Sequence, residues 1–168
     1  YGKYVPDMLK DEYETFQPSE NCRFSKYTLR GVLHEWKKDI EGSDIIHWNN
    51  GLWDTCTNLY DDGKPFSNEE EYVENMLRVA KELKKLGKRV IFATTTPVHH
   101  EFHFNDNSLI QRYNALVVPK LRELGIEIND LHSLVMQDLY KYIGADQIHL
   151  SEEGIAVCAE QVVKAIKG

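Results

Sequence analysis

No apolar run in this sequence approaches the ~18 residues that would suggest a membrane-spanning helix, so no span is expected. Positive charge is scarce as well. Acidic residues outnumber basic ones by 27 to 20, and no block of Lys and Arg occurs, so a nucleic-acid phosphate backbone is not an expected partner. Cysteine is limited to Cys22, Cys56 and Cys158, an odd set that is far apart and lacks the paired spacing of a zinc site. These read as free structural thiols, which leans toward a reducing, cytoplasmic type of compartment. No glycine-rich turn accompanies Thr94 to Thr96, so neither a nucleotide nor a flavin phosphate is expected there, and no cofactor is expected at all. His99, His100 and His103 follow Pro97 in a loop rather than lying on one helix face, and no Cys is near them, so they are not expected to hold a metal. No secretory leader is legible either. The sequence opens on Tyr1 without a methionine, so a processed N-terminus would hide one.

At 168 residues and 42% hydrophobic, the chain has the size of one domain, 1–168, with a substantial core. A short helix is expected over Tyr4 to Glu12, then an extended segment from Tyr13 to Gln17 that Pro18 ends. Leu29, Val32, Leu33 and Trp36 recur at helical spacing within Thr28 to Lys37. Gly42 and Ser43 break that helix before a strand, Asp44 to Trp48. Ser67 with Glu70 gives a capping-box signature for a helix running to about Leu86, closed by Gly87. Arg89 to Thr94 is a near-continuous apolar strand, the pattern of a parallel strand covered on both faces. Asn107 to Leu124 reads as a helix with Pro119 inside it, a position expected to kink it. A strand at Ile126 to Asn129, a short helix near Leu131 to Leu139 and a last helix carrying Ile155, Ala159, Val162, Val163 and Ile166 complete the chain. Strands alternating with helices indicate an α/β fold with a parallel sheet, in which ligands sit beyond the carboxyl ends of the strands.

Asp146 to Gly154 carries the chemistry. A carboxylate stands three residues before the imidazole of His149, and Ser151, a residue type favoured at helix N-caps, then opens the last helix. An Asp so placed can accept the Nδ1 proton and leave Nε2 as a base. Spacing alone is weak evidence, because 7 His and 11 Asp in this length give about 0.5 chance pairs at that offset. A second copy, Asp44 and His47, shows this. It lies in a predicted strand, where residues three apart point to opposite faces, so its two side chains are not expected to meet.

The run Ile45, Ile46, His47, Trp48, Asn49, Asn50, Gly51, Leu52, Trp53, Asp54, taken with Asp146 to His149 and the following Leu150, Ser151, Glu152, Glu153, Gly154, resembles the SGNH (GDSL-type) hydrolase superfamily. The resemblance covers nearly the whole chain in element order. It implies a flavodoxin-like three-layer αβα fold with a parallel sheet, and cleavage of an ester such as an O-acyl group on a carbohydrate or small molecule. It makes His149 the general base, Asp146 its orienting partner and Asn49 the side-chain donor to the oxyanion, with Asn50 the alternative donor. Arg23, Lys26, Trp48 and Trp53 are candidate oxyanion or substrate contacts, the tryptophans as surfaces on which a sugar ring could stack.

Two departures from the family stand out. Its nucleophilic serine sits in a Gly-Asp-Ser block ending the first strand, and no such block occurs here, so a strand carrying that serine is expected before Tyr1. In the order 2-1-3-4-5 this first strand lies inside the sheet; only the later four are expected in this sequence. The family's oxyanion glycine is also missing from the loop Asn21 to Thr28, where a backbone N–H of Cys22, Arg23 or Lys26 would have to replace it. A non-catalytic ligand-binding relative that has lost its nucleophile is the alternative reading.

Overall fold

A computed structural model describes residues 1–168. Helix α1 spans Tyr4–Leu9, α2 Ser25–Leu33 and α3 Lys37–Ile40, and strand β1 follows at Ser43–Trp48. Helix α4 (Glu69–Leu86) leads directly into β2 (Gly87–Ala93), and α5 (Asn107–Glu123) into β3 (Glu127–Asn129). Two short helices, α6 (Leu131–Val135) and α7 (Leu139–Tyr142), precede the C-terminal α8 (Glu152–Lys167). The strands form one parallel sheet in the order β1-β2-β3, with Ile46 opposite Val90 and Phe92 opposite Ile128.

Alternation along the strands divides the core into two layers. Ile46, Trp48, Val90 and Phe92 face α2, α4 and α5, joining Tyr72, Met76, Leu83, Tyr113 and Val117 in the larger cluster. Ala93 belongs to the opposite layer with Leu131, Val135, Cys158 and Val162. Helices on both faces of a parallel sheet are the architecture expected from the alternation of elements.

Three local expectations are corrected. Tyr13 to Gln17 joins no sheet, so this chain contributes three strands rather than four, and β1 pairs only with β2. An extended segment needs a neighbouring strand to supply its hydrogen bonds, and none lies beside it. The cap of α4 is Asn68, whose side chain accepts the Glu71 N–H at 2.9 Å; Ser67 turns away to Asp54. The single helix expected near Leu131 to Leu139 is two, because Asp130 and Asp138 each cap a separate start, accepting from the N–H groups of Ser133 and Lys141 at 3.1 Å.

Candidate active site

The loops at the carboxyl ends of the three strands are stitched to one another. After β1, Asn49 donates from Nδ2 to the Ala93 carbonyl at the end of β2, at 2.7 Å. After β2, Thr94 donates from Oγ1 to Asp130, which follows β3, at 2.9 Å. The His99 N–H then donates to the Gln147 carbonyl at 2.8 Å, joining the histidine-rich loop to the segment between α7 and α8.

That last segment is a closed turn. The Gly144 N–H donates to the His149 carbonyl at 2.7 Å, the Gln147 N–H to the Gly144 carbonyl at 2.9 Å, and Ile143 bridges Leu150. Gln147 adopts a left-handed φ of 69°, which reverses the chain and brings residues 146 and 149 onto one side. Asp146 caps the turn from within, accepting the His149 N–H through Oδ1 at 2.9 Å. Its Oδ2 lies 2.7 Å from His149 Nδ1. The His149 backbone N–H, then the imidazole, hold the Asp146 carboxyl below its ordinary value. An ionised carboxylate can only accept, so the proton of this contact is on Nδ1. The His149 side chain is 78% exposed. Ser151 then starts α8, its Oγ accepting the Gly154 N–H at 3.0 Å. Gly154 is required by proximity, since a Cβ there would lie 2.1 Å from the Tyr142 carbonyl oxygen.

Asn49 and Asn50, adjacent in sequence, take opposite positions. Asn49 is half-buried on the loop surface, with one amide hydrogen on Ala93. Asn50 is buried, and its amide donates to Thr28 Oγ1 at 2.9 Å and toward the Arg23 carbonyl at 3.3 Å, so it ties this loop to α2. The Asn50 carbonyl accepts from Thr95 Oγ1 at 2.6 Å and from the Tyr72 hydroxyl at 3.2 Å. Gly51 has a φ of 146°, and a Cβ there would meet Thr95 Oγ1 at 2.0 Å, so only glycine fits this turn.

Arg23 lies in the loop before α2 with a left-handed φ of 51°. That conformation is easy for glycine and strained for arginine; the Asn21 side chain supports it by accepting the Arg23 N–H at 2.7 Å. The Arg23 guanidinium stacks on Tyr27, 4.7 Å from the ring centroid. Lys26 is paired with Glu71 at 3.3 Å. The two tryptophans separate. Trp48 is packed on Phe92 inside the larger core, so it offers no stacking face, whereas Trp53 is exposed beside Phe24. His99 and His100 pack against Tyr140, with centroids 4.9 and 6.4 Å away.

Sequence reasoning assigned no role to Asp54, which is fully buried under this face. Its carboxylate accepts from Ser25 Oγ at 2.6 Å, from the Ser25 N–H at 2.9 Å and from Ser67 Oγ at 2.7 Å. Burial pushes its pKa up, and those hydrogen bonds oppose the shift. The hub binds the start of α2 and the approach to α4 onto the Asn49 loop. The signal available was a lone carboxylate closing the run Asn49, Asn50, Gly51, Leu52, Trp53, Asp54.

Asp44 and His47 do not meet. Asp44 pairs with Lys88 at the surface, whereas the His47 ring lies against the opposite core layer, 3.2 Å from Asn129 Nδ2 and edge-on to Tyr1. Burial pushes the His47 pKa down to about 4.

No family model matches the chain. In sequence it is 27% identical over 113 residues to the GDSL esterase/lipase WDL1 of Oryza sativa subsp. japonica, an alignment covering 58% of this chain and 44% of that protein. It is 30% identical over 112 residues to the GDSL esterase/lipase CPRD49 of Arabidopsis thaliana, again covering 58% of this chain and 44% of that one. These alignments therefore span less than half the length of the curated relatives. In structure it superposes on a catalytic mutant of Axe2, an acetylxylan esterase from Geobacillus stearothermophilus, with a TM-score of 0.78 at 17% identity, over 98% of this chain and 79% of that one. A GDSL-like lipase from Bacteroides thetaiotaomicron superposes with a TM-score of 0.74 at 19% identity, over 98% and 80%. A lipase/acylhydrolase from Enterococcus faecalis does so with 0.73 at 15%, over 86% and 71%.

Proposed function

We infer that this chain, a member of the SGNH (GDSL-type) hydrolase superfamily, works in the hydrolysis of an ester by acyl transfer through a serine, with His149 as the general base. The observation that carries the reading is the 2.7 Å contact of Asp146 with Nδ1 of the exposed His149 side chain, which in the neutral imidazole leaves Nε2 as proton acceptor. In this reading Nε2 takes the proton of a serine hydroxyl as its oxygen attacks the ester carbonyl and returns it to the departing alcohol; Nε2 then takes a proton from a water that attacks the acyl-serine and returns it to the serine oxygen as the acid leaves. Asp146 stabilises the imidazolium that forms between those steps. Asn49 supplies its second amide hydrogen to the oxyanion, a contribution of about 3 kcal/mol for a well-placed donor.

The serine is proposed to come from a Gly-Asp-Ser segment outside these 168 residues. Six of the seven serines here already donate their hydroxyls elsewhere: Ser25 and Ser67 to Asp54, Ser43 to Ile40, Ser108 to Asp106, Ser133 to Asp130 and Ser151 to Lys141. The seventh, Ser19, lies in the loop after Pro18. The unpaired outer edge of β1 is where a further parallel strand would deliver such a serine. The substrate class is taken as an acyl ester of a carbohydrate or small alcohol.

The test is reaction of the protein carrying that segment with a fluorophosphonate, and its turnover of 4-nitrophenyl acetate. Covalent labelling at the Gly-Asp-Ser serine together with hydrolysis is the expected result. A folded protein that neither labels nor hydrolyses the ester would overturn the reading in favour of a ligand-binding relative.

A further inference from the structure

The segment Asn21 to Thr28 and the loop from Asn49 to Asp54 are far apart in the chain, and the hydrogen bonds that join them are all made by Asn50 and Asp54. Asn50 holds the Arg23 carbonyl and Thr28 Oγ1, and Thr28 closes the segment on itself by donating to the Cys22 carbonyl at 2.8 Å. Asp54 accepts the Ser25 N–H on both oxygens, at 3.2 and 2.9 Å, and Ser25 Oγ on Oδ1 at 2.6 Å. Phe24, at the N-cap position of α2, supplies no side-chain cap, so Asp54 caps this helix from a neighbouring loop. A cap borrowed from another loop fixes the start of the helix relative to Asn49.

We propose that Asp54 is a positioning residue for the oxyanion pocket, holding the backbone N–H groups of the segment Cys22 to Lys26 in register with the Asn49 amide; the proposal rests on the reading of the chain as an ester hydrolase. The Arg23 N–H is taken by Asn21, whereas the N–H groups of Cys22 and Lys26 have no acceptor within the fold. A donor stabilises an oxyanion only from about 2.7 to 3.1 Å, so a small displacement of this segment forfeits its contribution.

Stability alone does not call for a carboxylate at this position. Asp54 is fully buried, burial works against its charge, and apolar side chains packed in place of a buried ionic cluster often cost nothing. Apolar packing has no direction, however. An ionised carboxylate requires each donor to point at it, which orients the Ser25 N–H and hydroxyl and so the segment that carries them. Ser67 provides the contrast. Its hydroxyl donates to the same Oδ1 at 2.7 Å, yet Ser67 precedes α4 and makes no hydrogen bond to the segment Asn21 to Thr28.

The test compares Asp54→Asn, Ser25→Ala and Ser67→Ala in the protein carrying the Gly-Asp-Ser segment, through melting curves and the kcat and KM for 4-nitrophenyl acetate. An amide at position 54 turns a donor toward groups that need an acceptor, so folded Asp54→Asn should lose about 10²-fold in kcat, with KM changed by no more than about twofold. Ser25→Ala and Ser67→Ala each remove one hydroxyl from the same carboxylate oxygen and should lower the melting temperature alike. Only Ser25→Ala should lower kcat, by about fivefold, as a partial displacement of one donor. This pair carries the test by itself if Asp54→Asn does not fold. Equal kcat values for the two serine variants, or an unchanged kcat in folded Asp54→Asn, overturn the assignment and leave the hydrolase reading standing. A wild-type protein that does not hydrolyse the ester overturns both.

Discussion

The chain contains the same three-residue spacing twice, Asp44 to His47 and Asp146 to His149, and the two regions do opposite things. In β1 the strand's alternation sends Asp44 out to Lys88 and turns His47 inward, where burial keeps its ring neutral. In the turn before α8, the left-handed Gln147 reverses the chain, so the carboxylate accepts both the backbone N–H and the ring N–H of His149. Residue types and spacing are therefore common to a structural pair and a candidate catalytic pair. Backbone conformation is what separates them.

The largest effect that separates the regions is on turnover. In the protein carrying the proposed Gly-Asp-Ser segment, His149→Ala should lower kcat on a short acyl ester by about 10⁶-fold, the scale of losing one member of a nucleophile–base unit. Its melting temperature should not move measurably, because the side chain is largely exposed. Retained turnover in His149→Ala would remove that residue from the mechanism. Asp146→Asn should come next, at about 10⁴-fold in kcat, since an amide can donate to Nδ1 and stabilise the tautomer whose Nε2 bears the proton. The readout that separates positioning from mere folding is the pH profile of kcat/KM: the loss should persist at every pH at which the folded protein is tested.

Much of this contrast is legible in the amino-acid sequence. Period-two alternation in Asp44 to Trp48 excludes the first pair, the end of β1 points to the loop at Asn49, and the serine-capped helix start after His149 points to the turn at Asp146. Other parts are not legible, for physical reasons that differ. Ser67 matches a capping box on local grounds, but Asp54, 13 residues earlier in the chain, accepts its hydroxyl, and Asn68 takes the cap instead. Trp48 and Trp53 are alike in sequence terms; only the packing of Phe92 against one of them shows which is core. Arg23 conceals a left-handed turn that a glycine would have advertised, because the Asn21 side chain and the Asn50 amide support it from outside its own dipeptide. Tyr13 to Gln17 has the composition of a strand, yet strand formation depends on a partner, and local sequence does not encode whether one is adjacent.

A smaller effect belongs to the other histidine and appears in stability. The His47 pKa is about 4 in the folded protein against an ordinary 6.5, so between those values the unfolded chain binds more protons. Stability contributed by keeping the ring neutral is thus fully present above pH 6.5 and is lost as pH falls toward 4, on the order of 3 kcal/mol in all. Asp54, whose pKa is raised by burial, works with the opposite sign, so the comparison must be made against a variant. Urea denaturation at a series of pH values should show the acid-side loss in the wild type and its disappearance in His47→Gln. Parallel pH curves for the two proteins would mean that His47 is not held neutral by the fold.

The smallest effect should come from Asp44, and it sharpens the contrast most directly because Asp44 is the positional counterpart of Asp146. Its only polar partner is the Lys88 ammonium, and both side chains are more than three-quarters exposed, at 78% and 77%. Water and salt screen such a pair, and two long-range consequences are absent: no backbone N–H depends on the carboxylate, and no imidazole is oriented by it. Asp44→Ala should therefore leave both kcat and the melting temperature unchanged within replicate scatter, at low and at high salt. If it lowered turnover to the extent expected of Asp146→Asn, the carboxylate of β1 would have to reach the reacting centre after all, and the distinction drawn from strand alternation would fail at its source.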